Sequence, residues 1–117
     1  MHELGVIHSV IRQVKEVAEE NHVDSISEVS LKIGEVTGIV NEYLIDYWNW
    51  AVKKEEILKD CKLSIETIPA VTWCENCQQK YPTVQYGKTC PHCGSGDTYL
   101  LEGREFIISE ISVYDEA

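Results

Sequence analysis

Apolar and polar positions change their period several times along the chain. Leu4, Ile7, Ile11, Val14 and Ala18 recur every three or four positions, and Val10 and Val17 widen the stripe. Arg12, Gln13, Lys15, Glu16, Glu19 and Glu20 take the other side. This period predicts an amphipathic helix of about four to five turns, closed at Asn21-His22. His8 is read as a surface residue of that helix, and His22 is given no role. Val29, Leu31 and Ile33 then alternate with Glu28, Ser30 and Lys32, the signature of a half-buried strand. Gly34 and Gly38 bracket a turn or loop. Asn41 is read as the N-cap of a second helix. Its buried face would carry Leu44, Ile45, Trp48, Ala51 and Val52, with Tyr47 and Trp50 at the margins. The cluster Tyr43, Tyr47, Trp48 and Trp50 could form a binding platform. Core packing is the better reading, because a small domain needs large apolar side chains. Lys53-Lys54-Glu55-Glu56 reads as a solvated helix end. Leu63 and Ile65 alternate with Ser64 and Glu66 as a second strand, which Pro69 ends.

From Val71 to about Leu101 the periodicity gives way to cysteines, glycines, prolines and short polar pieces. Strand character returns from Phe106 to Val113, and this third strand is expected to pair with the first two. The expected fold class is α/β in the α+β sense: two helices packed on a small three-stranded sheet, with an inserted zinc-ribbon-like lobe. Residues 1–69 plus 103–117 would form the main domain, and residues 70–102 the insertion.

Composition narrows the function classes. The chain has 117 residues, enough for one domain or one domain plus a small metal-stapled lobe. Lysine and arginine total 10 against 20 aspartates and glutamates, a formal balance of −10. That argues against nucleic-acid binding and suits basic partners or cations. No signal peptide and no membrane-spanning apolar run is recognisable, so the expected location is the cytoplasm. Thiols stay reduced there, which turns five cysteines away from disulfides.

Four of the five have metal spacing. Cys74-Glu75-Asn76-Cys77 and Cys90-Pro91-His92-Cys93 are two C-x-x-C knuckles with twelve residues between them. Four thiolates around one ion make a closed tetrahedral zinc site, structural because no position is left for a substrate. Gly94 follows where a tight turn needs a small residue. Redox use of a C-x-x-C pair would call for a single pair beside a βαβ pattern. Cys61 is expected to be a buried small hydrophobe. His92 is either a spacer within its knuckle, a donor to a second metal position, or a modulator of the zinc loop.

That second position is the start of the chain, Met1-His2-Glu3. The Met1 amine and His2 amide close a five-membered chelate ring, and the His2 amide and imidazole Nδ1 close a six-membered one. A planar, nitrogen-rich set of this kind suits nickel(II) or copper(II) rather than zinc. Glu3 or a donor from elsewhere would fill the fourth place. The alternative is that His2 is an exposed residue near a terminus without a role.

With both motifs placed, the chain resembles the hydrogenase nickel-incorporation protein family, the HypA/HybF type. The resemblance rests on Met1-His2-Glu3-Leu4, Leu31-Lys32-Ile33-Gly34, Cys61-Lys62-Leu63 and Trp73-Cys74-Glu75-Asn76-Cys77-Gln78-Gln79. It continues through Cys90-Pro91-His92-Cys93-Gly94-Ser95 and Gly103-Arg104-Glu105-Phe106-Ile107-Ile108. The family implies nickel binding at Met1, His2 and Glu3, and structural zinc at Cys74, Cys77, Cys90 and Cys93. It implies a nickel metallochaperone that works with a partner GTPase. The acceptor would be the large-subunit precursor of nickel-iron hydrogenase, and in some organisms the urease accessory system. Family members often carry a histidine just after the last knuckle. This chain has Gly94, Ser95, Gly96 and Asp97 there and offers only His92 as an auxiliary.

The expected function is thus nickel delivery without catalysis, as a monomer or homodimer. No nucleophile set, phosphate-binding glycine loop or open zinc site supports an enzyme. A zinc-ribbon adaptor without nickel transport is the alternative.

Overall fold

The structure, a computed structural model, describes residues 3–114. The chain forms two compact units. The first comprises residues 1–31, 39–66 and 107–117, and the second residues 32–38 and 67–106.

In the first unit, helix α1 (Glu3–Glu20) buries Ile7, Val10, Ile11, Val14 and Ala18, the stripe its period predicts. Leu4 and Val17, at the edges of that stripe, remain exposed. The helix stops where the Val23 N–H bonds the Ala18 carbonyl at 2.9 Å and His22 takes a left-handed φ of 55°. His22 is therefore a helix terminator. Helix α2 (Asn41–Ala51) packs against α1 and buries Leu44, Trp48 and Ala51. The indole N–H of Trp48 donates to the Cys61 carbonyl at 3.1 Å, so this large core residue leaves no polar atom unpaired.

Two expectations about α2 fail. The N-cap residue is Val40, not Asn41, which is the first helical residue. Glu3 at the start of α1 compensates: its carboxylate accepts the Val40 N–H at 3.2 Å. The aromatic cluster also divides. Trp48 is fully buried, but Tyr43, Tyr47 and Trp50 are 56%, 40% and 49% exposed, and Ile45 joins them at the surface. One helix face holds only about three core positions in eleven residues, so the remaining rings face outward.

Strands β1 (Ile26–Gly34), β2 (Lys62–Ile68) and β6 (Phe106–Val113) form one sheet in the order β2-β1-β6. Central β1 buries Ile26, Val29, Leu31 and Ile33, whereas edge strand β6 has no fully buried residue. Two 3₁₀ turns, Val52–Lys54 and Glu56–Leu58, lead from α2 to β2. Cys61 is buried at the entrance to β2, as a small hydrophobe should be.

The second unit contains a sheet that the sequence pattern did not reveal. Strand β3 (Val71–Cys74) pairs antiparallel with β4 (Lys80–Pro82) on one side and β5 (Thr98–Glu102) on the other. A short helix α3 (Thr83–Tyr86) follows β4. Residues 32–38 belong to this unit through backbone pairing. The Gly34 N–H donates to the Glu105 carbonyl at 2.7 Å, that of Val36 to Gly103 at 2.9 Å, and that of Glu35 to Ile68 at 2.9 Å. The Glu35 carboxylate accepts the Ala70 N–H at 2.9 Å. Gly34 lies so close to the Gly103 carbonyl that a Cβ would stand 2.0 Å from its oxygen. Gly103 itself has φ 120° and lies against Ala70.

Candidate metal centre

The two knuckles repeat one hydrogen-bond plan. In the first, the Gln78 N–H bonds the Cys74 carbonyl at 2.8 Å and the Cys74 N–H bonds the Gln79 carbonyl at 2.9 Å. In the second, the Gly94 N–H bonds the Cys90 carbonyl at 2.8 Å and the Cys90 N–H bonds the Ser95 carbonyl at 3.0 Å. Each turn needs a left-handed residue just after its second cysteine. Gly94 takes φ 76° at little cost; Gln78 takes φ 58° against its side chain. Strand β3 delivers Cys74 into the first turn, and the polar stretch after α3 delivers Cys90 into the second.

This geometry brings Cys74, Cys77, Cys90 and Cys93 together, their sulfurs all within 4.8 Å of one another. The Cys74–Cys93 and Cys77–Cys90 sulfur pairs, each linking the two knuckles, are 3.6 Å apart. Four thiolates about 2.3 Å from a tetrahedral ion would lie about 3.8 Å apart, so the set fits one ion closely. The first cysteine of each knuckle is buried, while Cys77 is half-buried and Cys93 exposed. Tyr81 packs beside the cluster and ties its hydroxyl to the Gly87 carbonyl at 2.8 Å.

The thiols are electrostatically unequal. The Asn76 side-chain amide, 3.5 Å from the Cys93 sulfur, and the backbone at Ser95 pull Cys93 down to about 6. Desolvation, with the neighbouring thiols as hydrogen-bond partners, pushes Cys77 up to about 12. Four sulfurs this close cannot all ionise without a cation among them, and a bound dication reverses that balance. The His92 backbone N–H donates to the Cys90 sulfur at 3.4 Å, and the residue is exposed. His92 thus contacts the Cys90 sulfur through its main chain, a role that residue type gives no sign of.

Met1 and His2 lie outside the described residues. Glu3, their predicted companion, opens α1 and holds the Val40 N–H as described above. Among the described residues, the four cysteines are the one group of metal-ligating side chains close enough to share an ion. No helix in the described residues is long and apolar enough to cross a membrane.

Comparison with known proteins agrees with this arrangement. The family model for hydrogenase/urease nickel incorporation metallochaperones, HypA, matches residues 1–113. The hydrogenase maturation factor HypA of Chlorobium phaeobacteroides is 33% identical over 113 residues, covering 97% of this chain and 99% of that protein. The HypA of Dehalococcoides mccartyi is 30% identical over 117 residues, 100% of this chain and 98% of its own. The maturation factor HybF of Klebsiella pneumoniae is 28% identical over 95% of this chain and 97% of its own. The solution structure of the nickel metallochaperone HypA from Helicobacter pylori shares the fold, with a TM-score of 0.71 at 23% identity over 99% of this chain and 100% of that one. A second HypA solution structure has a TM-score of 0.73 at 24% identity over 99% of this chain and 98% of its own. The chain belongs to the HypA family of hydrogenase/urease nickel-incorporation metallochaperones.

Proposed function

We propose that this protein carries nickel(II) at Met1, His2 and Glu3, and that its four cysteines hold a structural zinc ion. The carrier has no catalysis of its own and works in the cytoplasm. It hands nickel to a maturation GTPase, and through it to the large-subunit precursor of nickel-iron hydrogenase or to the urease accessory system. The observation that carries this reading is the family match, which begins at residue 1 and so includes the Met-His-Glu start together with both knuckles. The names of the relatives, hydrogenase maturation factors, support the same cargo and acceptor.

The mechanism follows from the donors. The Met1 amine, His2 amide and His2 imidazole offer three nitrogens in one plane, which favours nickel over zinc. Amine and amide must lose protons to bind, so uptake weakens in acid and release is assisted by it. The hydrogen bond from the Val40 N–H to the Glu3 carboxylate ties the third residue of the motif to the entrance of α2. Copper would win any contest of raw affinity at such a site, and partner contacts must supply the choice of nickel. Zinc, when bound, supplies the cross-link between the knuckles of a lobe with little other core.

The test is a nickel titration of untagged, zinc-loaded protein beside His2→Ala and beside a chain carrying one extra residue before Met1. One nickel per native chain, with the absorbance of planar nickel, and none in either variant, is the expected result. Equal nickel binding by all three would remove the carrier reading and leave a zinc-ribbon adaptor.

A further inference from the structure

The acidic balance of the chain is uneven: residues 76–96 hold Lys80 and Lys88 and no carboxylate, and a second cationic stretch follows α2. Residues 53–62, Lys-Lys-Glu-Glu-Ile-Leu-Lys-Asp-Cys-Lys, carry four lysines against three carboxylates, a balance of +1. The remaining residues therefore carry −11 of the total of −10. This stretch folds around an open cleft of ≈ 870 Å³ that Lys53, Lys54, Lys59 and Lys62 line together with Glu55, Glu56 and Asp60. One of its carboxylates is already neutralised: Glu55 pairs with Lys15 of α1 at 2.9 Å. Lys53, Lys59 and Lys62 are exposed and form no ion pair among the described residues.

The cleft continues into an apolar stripe. Tyr43, Tyr47 and Trp50 stand on one side of α2 at helical spacing, and all three are exposed. The Lys54 ammonium lies 4.0 Å from the centre of the Trp50 ring and joins stripe to cleft. Glu42 and Asp46 are exposed on the same helix, Asp46 one turn from both Tyr43 and Trp50. The surface thus sets exposed rings beside a cleft in which four lysines outnumber three carboxylates, one of them paired with Lys15. Exposed tyrosine and tryptophan in line are what protein partners anchor on.

We propose that this surface docks a protein segment made of an apolar anchor followed by an acidic run. The anchor lies over Tyr43, Tyr47 and Trp50, and the carboxylates point toward Lys59 and Lys62. A nucleic acid fits poorly, because its continuous negative charge would leave the cleft for a surface of −11. A basic partner would meet the lysines head on. Nothing in this docking surface depends on either metal position, so it stands apart from the nickel proposal.

The experiment uses the zinc-loaded full chain and a fluorescent peptide with a leucine-phenylalanine anchor followed by a run of glutamates. Anisotropy should report binding at low salt that weakens as salt is added. The same peptide with glutamines should bind weakly. K53Q/K59Q/K62Q should lose on the order of tenfold in affinity, since each exposed pair contributes only modestly. Tyr47→Ala should weaken the peptide while leaving its salt dependence intact. Nickel and zinc stoichiometry should not change in any variant. If the triple variant loses its native circular dichroism, K59Q and K62Q singly, each expected to lose about twofold, decide the matter. The proposal is overturned if the native chain does not bind the peptide, or if the lysine variants bind it equally. It is also overturned if an oligonucleotide binds better. Self-association of the native chain that the triple variant abolishes would make a second copy the occupant and would overturn it too.

Discussion

The two units of this protein are held together by different means. The first is stabilised by apolar burial: α1, α2, the β2-β1-β6 sheet and the 3₁₀ turn before β2 supply Ile7, Val10, Val14, Val29, Leu31, Leu44, Trp48 and Leu58, all essentially inaccessible to water. The second unit has few buried apolar residues among those described: Ile33, Ala70, Cys74, Tyr81 and Cys90. Two of these are members of the metal-ligating cluster. Where a segment is too short to enclose a hydrocarbon core, coordination and tight backbone pairing take its place. Buried side chains dominate the first unit, whereas four converging sulfurs and close glycine contacts are the prominent features of the second.

The largest expected break comes from the metal. With zinc bound as proposed, Cys90→Ala or a strong chelator should unfold the second unit; structural zinc in small domains contributes about 10–16 kcal/mol of apparent binding free energy. Near-ultraviolet signals from Trp73 and Tyr81 should collapse while the helical far-ultraviolet signal of α1 and α2 persists. A simultaneous loss of both would show that the first unit also depends on the metal. Next comes the core of the first unit. Trp48→Ala leaves a large cavity and orphans the Cys61 carbonyl, at a cost of about 3–5 kcal/mol. Urea melts should reveal this loss with the metal-to-protein ratio unchanged.

A smaller effect separates glycine from coordination inside the second unit. Gly103→Ala places a Cβ 2.5 Å from that of Ala70 at a φ of 120°, which strains the backbone by about 1–3 kcal/mol. The expected outcome is a lower thermal midpoint with all four thiolates still able to bind. The smallest effect is a pH dependence of the first unit. Burial, with the Glu28 charge nearby, raises the Cys61 thiol to about 11 from its ordinary 9.0. A raised value means that the folded state keeps its proton longer than the unfolded state. Its contribution is therefore complete below pH 9.0 and is lost as pH rises through about 11. Cys61→Val should flatten that alkaline decline in a denaturation series; an unchanged slope would assign the decline to another group.

Much of the architecture was legible because period and spacing are local properties. The stripe of α1 and the alternation of β1 were written in consecutive residues, and each element buried the face its pattern chose. The C-x-x-C spacing identified the four sulfurs that converge, because a knuckle's geometry is set within its own few residues. The aromatic residues of α2 misled for the opposite reason. Residue type states an appetite for burial, and only the partner surface decides which rings are satisfied. Asn41 likewise looked like a cap, yet a carboxylate from the start of α1 satisfied the helix entrance instead.

The long elements, the paired knuckles and the acidic balance could be read from the chain alone, since each depends on local residues or on composition. Tertiary structure alone decided that residues 32–38 pair with Gly103 and Glu105, and that β3, β4 and β5 make a second sheet. It also decided that Tyr43, Tyr47 and Trp50 face outward beside a lysine-lined cleft. These outcomes join residues far apart in sequence through backbone hydrogen bonds and close packing. Such bonds carry no side-chain signature, because every residue offers nearly the same main-chain donor and acceptor.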